Sequence, residues 1–159
     1  MTAPPARLLV RVCHGDPLAV AGLAALIGRE ADFDVQAARA ADGGIVDVIV
    51  ADHPCALSLL ASAAAFDPST PSGGFRVPRI VVVTSCDKEA DILDAIESGA
   101  HGYLLEDASS GELMEAIRHV ARGGALYLCK RTAMLLWHSA LQMNLTTREA
   151  DALRSLVKT

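Results

Sequence analysis

Val46-Asp47-Val48-Ile49-Val50-Ala51-Asp52 is the stretch that decides how this chain folds. It is an apolar run broken only at Asp47 and closed by an acidic residue. A strand that is apolar at nearly every position, rather than at alternate ones, has both faces covered, as strands in helix-covered parallel sheets do. Ile80-Val81-Val82-Val83, closed by Thr84, repeats the pattern. Working outward, Leu8–Cys13 reads as a first strand that stops at His14-Gly15-Asp16-Pro17. Asp16 before Pro17 is a helix start, and Val20, Leu23, Leu26 and Ile27 then recur at helical spacing. Residues 33–38 read as a second strand, 46–51 as the third, 56–65 as a short helix and 67–78 as a Pro/Ser/Gly loop. Residues 88–98 make a helix with Ile92, Leu93 and Ile96 inward and Gly99 at its end, and Gly102–Leu105 is a fifth strand. Ser109 and Glu112 form a capping box for a helix carrying Leu113, Ala116, Ile117, Val120 and Ala121 on one stripe, which stops at Gly123-Gly124. Strand and helix alternate five times, the pattern of an α/β doubly wound parallel sheet.

Composition agrees with that architecture. Of 159 residues 52% are hydrophobic but only 4% aromatic, so the core is built from aliphatic side chains, which favours a helix-covered sheet over an aromatic-rich sandwich. The net charge of −5 and the lack of a dense Lys/Arg block argue against nucleic-acid or anionic-membrane binding by this segment alone. The longest apolar stretch, 56–66, is well short of the ~18 residues a spanning helix needs, and no signal pattern opens the chain, so a cytoplasmic protein with no membrane contact is expected. Cys13, Cys55, Cys86 and Cys129 have neither Cys-x-x-Cys nor zinc-ribbon spacing and read as buried thiols, with no disulfide framework.

In a doubly wound sheet reactive groups gather beyond the carboxyl ends of the strands. That edge collects His14, Gly15 and Asp16 after the first strand, Asp52 and His53 after the third, Thr84 and Ser85 after the fourth, and Glu106 and Asp107 after the fifth.

Here the residues resemble a family. Asp52 closing the third strand, Thr84 closing the fourth and Gly102-Tyr103-Leu104-Leu105 on the fifth resemble the receiver domain of bacterial response regulators. The segment from Ser98 through Ser109 is similar to the signature of the NarL/FixJ subfamily, and Leu145-Thr146-Thr147-Arg148-Glu149, with a second capping box at Thr146 and Glu149, resembles the start of its LuxR-type helix-turn-helix. The resemblance implies a flavodoxin/CheY-like five-stranded parallel sheet of order 2-1-3-4-5. It divides the chain into a receiver over 1–124, a linker helix over 125–144 and the start of a DNA-binding domain over 145–159, the chain being a piece of a longer regulator. Asp52 matches the phosphoacceptor, Thr84 the hydroxyl that would bond a phosphoryl group, and Tyr103 the aromatic switch residue.

Two features of the family are missing. The positions of its acidic Mg²⁺-binding pair are His14 and Gly15, and Glu106 stands where it has a Lys. Mg²⁺ wants hard oxygen ligands in octahedral geometry, so its binding is expected to be weak or absent, and no other cofactor is implied. A phosphoryl group on Asp52 would bring roughly two negative charges close to Glu106, where transfer depends on neutralising them. The receiver is therefore atypical and its control is expected to be independent of phosphorylation. Only residues 39–45 separate the second and third strands, too few for the usual crossover helix, so the second helix should be shortened or missing.

Asp52 and Glu106 repel unless something cationic lies between them, and His14 and His53 are the candidates. Asp16 reads as a helix cap rather than a substitute ligand. The degenerate pocket is thus His14, Gly15, Asp16, His53 and Glu106 around Asp52. A transition-metal site using His14, Asp52, His53 and Glu106 has no diagnostic spacing, and a hydrolase built on Ser85, His14 and Asp52 has no Gly-x-Ser-x-Gly elbow. No catalytic residue is assigned and no enzyme is expected. The alternatives are a conventional phospho-accepting regulator using Asp52, or a small-molecule-sensing receiver. The expected partners are a second copy, with the apolar segment around Met134, Leu135, Leu136, Trp137 and Leu141 either self-associating or folding back, and DNA only through the C-terminal domain beyond this chain. A small molecule or a heterodimer partner would replace phosphorylation as input.

Overall fold

A computed structural model describes residues 6–36, 46–64, 78–142, 152 and 154–156. Its elements run β1 (Leu8–Cys13), α1 (Pro17–Ile27), β2 (Phe33–Gln36), β3 (Val48–Ala51), α2 (His53–Ala64), β4 (Arg79–Thr84), α3 (Glu89–Glu97), β5 (Gly102–Leu105), α4 (Ser110–Ala121), β6 (Tyr127–Leu128) and α5 (Lys130–Gln142). All strands pair in parallel, in the order β2-β1-β3-β4-β5-β6. α1 and α4 cover one face, while α2, α3 and α5 pack in succession on the other. The central strands are therefore enclosed, and β3 and β5 are buried at every position.

The local signals explain the helix starts. Asp16 accepts the N–H of Leu18 at 2.9 Å with Pro17 in the first turn of α1, and the Ser109 hydroxyl accepts the N–H of Glu112 at 3.1 Å at the start of α4. Asp47, the break in the apolar run, precedes β3 and accepts the N–H of Leu9 at 2.9 Å, tying the entry of β3 to β1.

Three expectations need correction. The sheet has six strands, because Tyr127 and Leu128 pair with Gly102 and Tyr103; two residues are too few to show a strand period. The segment 125–144 is accordingly not a free linker helix. It adds β6 to the sheet edge, and α5 folds back on α3 and β5 with Ala133, Leu136 and Ala140 buried. Finally, α2 begins at His53 rather than at residue 56, because Asp52 ends the strand and starts the helix at once. The expected shortening of the helix between β2 and β3, the loop over 67–77 and the capping box at Thr146 and Glu149 lie outside the described residues.

Candidate functional site

The parallel register sets the ends of β1, β3, β4 and β5 side by side, with Cys13 opposite Ala51 and Thr84 opposite Leu105. Asp52 is the first residue past β3. Its Oδ2 accepts the N–H of Gly15 at 2.8 Å and its Oδ1 accepts the N–H of Cys55 at 2.9 Å. The second bond, with the N–H of Ala56 on the Asp52 carbonyl at 2.9 Å, makes Asp52 the N-cap of α2. Burial works to raise the pKa of the carboxyl, but the Gly15 N–H, the Cys55 thiol and N–H and the nearby His14 outweigh it and hold it below the ordinary value. Gly15 permits the approach: a Cβ there would stand 3.3 Å from Asp52 Oδ2.

His14 lies between two carboxylates, with Nδ1 3.7 Å from Asp52 Oδ2 and Nε2 3.9 Å from Glu106 Oε1. Its Nδ1 accepts the N–H of Asp16 at 2.9 Å, which assigns the proton of the neutral ring to Nε2, the atom facing Glu106. The imidazole therefore occupies the space between Asp52 and Glu106 without a direct hydrogen bond to either. His53 is not part of this group. Its ring Nε2 meets the carbonyl of Asp91 at 3.0 Å, joining α2 to α3. Asp16 is engaged as the cap of α1.

Thr84 and Tyr103 meet through Cys86. The Thr84 hydroxyl accepts the Cys86 N–H at 3.2 Å, and the fully buried Tyr103 donates its hydroxyl to the Cys86 carbonyl at 2.8 Å. Burial, followed by Cys86, Asp91 and Asp87, raises the pKa of the Tyr103 phenol well above its usual value. The Cys86 thiol donates to Asp91 at 2.9 Å, so the loop between β4 and α3 is held at each of its polar groups. Beyond it, Arg131 of α5 bridges Asp107 and, at 3.4 Å, Asp87.

The site does not suit Mg²⁺. Both Asp52 oxygens hold backbone N–H groups, His14 and Gly15 offer no carboxylate, Asp16 caps α1, and among the described residues no three His, Cys, Asp or Glu side chains converge as metal ligands. Sequence reasoning missed Cys55, whose N–H and thiol both serve Asp52, and Cys13, whose thiol meets that of Cys55. The available signal was Asp52-His53-Pro54, a helix start of the same kind as Asp16-Pro17.

Comparison with known proteins places these observations in context. No protein-family model matches the chain. A nitrate/nitrite response regulator homolog of Haemophilus influenzae is 27% identical over 158 residues, covering 94% of this chain and 76% of the relative. An uncharacterized transcriptional regulatory protein of Bacillus subtilis, YxjL, is 40% identical over 58 residues, 36% of this chain and 27% of the relative. Among solved structures, the response regulator ChrA of a heme-sensing two-component system superposes with TM-score 0.60 at 27% identity, covering 96% of this chain and 76% of that one. The chain thus spans from about a quarter to about three-quarters of the length of these proteins.

Proposed function

Because this chain carries a receiver domain of the NarL/FixJ response-regulator type, from a LuxR-family transcription regulator, we propose that it works without aspartyl phosphorylation. One observation carries the reading: the carboxylate of Asp52 is a helix cap. Its two oxygens, the nucleophile and the metal ligand of a phospho-accepting receiver, here hold the N–H groups of Gly15 and Cys55. Forming an acyl phosphate would release both N–H groups and add roughly two negative charges near Glu106, where only His14 lies between the acidic groups. The domain is a regulatory module with no substrate of its own. It passes its state to a DNA-binding part outside this chain, and self-association as a homodimer accompanies that step.

An amide-resolved NMR titration with Mg²⁺ and then beryllofluoride, a mimic of an aspartyl phosphate, tests the reading. No shifts at millimolar concentrations are expected at Gly15, Asp52, Thr84 or Tyr103. Saturable shifts running from Asp52 to Tyr103 would overturn it and restore a phosphorylation switch. A small-molecule-sensing receiver is the second reading, favoured by an apolar cleft between α1 and α4, lined by Leu23, Leu26, Leu104 and Leu113, that opens beside Glu106.

A further inference from the structure

We propose that Cys13 and Cys55 form a peroxide-oxidisable dithiol and that this pair, in place of phosphorylation, is the input to the Asp52 edge. The proposal rests on the phosphorylation-independent reading above and names what replaces the phosphoryl signal. Cys13 ends β1 and stands in register with Ala51, and its carbonyl accepts the N–H of Asp52 at 3.2 Å. Cys55 lies in the first turn of α2, where its N–H holds Asp52 Oδ1 at 2.9 Å. The Cys55 thiol hydrogen-bonds the Asp52 carboxylate and meets the Cys13 sulfur. Both side chains are half-buried against the core.

The other two cysteines lack this arrangement. Cys86 gives its hydrogen to Asp91 at 2.9 Å, and Cys129 is buried with its sulfur 3.1 Å from the Thr132 hydroxyl. What sets Cys13 and Cys55 apart is that a second sulfur lies beside the first.

The chemistry assigns them unequal roles. Burial, then the bonds to Asp52 and Cys13, push the Cys55 thiol up to about 12, so Cys13 is the attacking sulfur. The Cys13 thiolate attacks one oxygen of a peroxide; the S–O bond forms, the O–O bond breaks, and the departing hydroxide takes a proton and leaves as water. Cys13 is then a sulfenic acid. Cys55 attacks that sulfur, its proton passing through the Asp52 carboxylate to the leaving hydroxyl; the S–S bond forms, the S–O bond breaks, and a second water leaves. Two thiols are oxidised and one hydrogen peroxide is reduced to two waters. A disulfide requires Cβ atoms about 3.8 Å apart, so closure draws the first turn of α2 towards the end of β1. Those two segments supply the N–H groups on Asp52, and the change also removes the Cys55 hydrogen from that carboxylate.

The test uses the reduced chain treated with stoichiometric hydrogen peroxide, alkylated under denaturing conditions and mapped by mass spectrometry. The expected result is loss of two of the four free thiols, with Cys13 and Cys55 recovered in one cross-linked peptide and Cys86 and Cys129 alkylated. In Cys55→Ser, oxidation should stop at a Cys13 sulfenic acid that dimedone traps. Oxidation of the wild type should shift the amide signals of Gly15 and Asp52, and Cys13→Ser should abolish the shifts. Four alkylated thiols after treatment, or Cys86 reacting ahead of Cys13, would overturn the proposal. Because the beryllofluoride titration is run on reduced protein, the two readings fail separately: saturable beryllofluoride shifts would end phosphorylation independence, and an absent cross-link would end the dithiol input.

Discussion

With both oxygens of Asp52 holding backbone N–H groups, replacing it leaves two donors without partners. Asp52→Ala should lower stability by about 1–2 kcal/mol, the usual cost of a lost N-cap, read from the urea midpoint. Asp52→Asn keeps one acceptor oxygen and should cost less. An equal loss in both would mean that capping is not the role of this residue. The lowered pKa of Asp52 stabilises the fold above the ordinary carboxyl value of about 3.9, and that contribution is lost as pH falls through the folded value. His101 acts in the same direction at higher pH. Its Nδ1 accepts the N–H of Ile80 at 3.0 Å, and burial, followed by the charge of Arg79, lowers its pKa. The unfolded chain therefore binds the proton more readily, so this contribution is present above about pH 6.5 and lost as pH falls below it. The urea midpoint of the wild type should decline between pH 7.5 and pH 5.5, and His101→Gln, which keeps an acceptor, should flatten the decline. An unchanged slope in that variant would assign it to other groups.

Among the elements, α5 is held in two ways that differ in strength. Arg131 reaches Asp107 and Asp87, but all three side chains are more than half exposed, so Arg131→Ala should change stability by less than about 1 kcal/mol. Leu136 is 4% exposed under the same helix, and Leu136→Ala should cost about 2–4 kcal/mol. Urea denaturation of both variants decides the ranking, and a larger loss at Arg131 would reverse it. The elements also show what sequence can and cannot reveal. α1 and α4 were legible because Asp16-Pro17 and Ser109 with Glu112 are side-chain caps with their own spacing. β3 and β4 were legible because enclosure on both faces leaves an unbroken apolar run. The start of α2 was missed because Asp52 reads as the end of a strand, and one residue serves both purposes. β6 was missed because two residues carry no period. In the site, the place of Asp52, Thr84 and Tyr103 on one edge follows from strand order, whereas the proximity of Cys13 and Cys55, 42 positions apart, depends on how far α2 backs onto β1.

For the whole molecule, the boundary near residue 124 is not a place where the chain divides. β6 extends the sheet, and α5 covers α3 and β5, so the packed body runs on through residue 142. A chain ended at residue 124 would lose the burial of Cys129, Ala133, Leu136 and Ala140 and uncover the far side of β5. With each larger aliphatic side chain contributing about 1.5–3 kcal/mol, that chain should melt without a sharp transition, while one ended at 142 should unfold cooperatively. Circular dichroism of the two lengths makes the comparison, and a cooperative transition in the shorter one would restore the boundary.

The close approach of Gly15 to Asp52 carries an evolutionary consequence. A side chain at position 15 would begin 3.3 Å from an oxygen already anchored on both sides, and an acidic one would set a second negative charge against it. A lysine restored at 106 alone would have no phosphoryl group to neutralise, and a carboxylate restored at 14 alone would replace the imidazole separating Asp52 from Glu106. Each reversion is unfavourable until the others are made. The remodelled edge therefore behaves as a ratchet, and descendants of this sequence are expected to drift further from the ancestral acidic pocket rather than return to it.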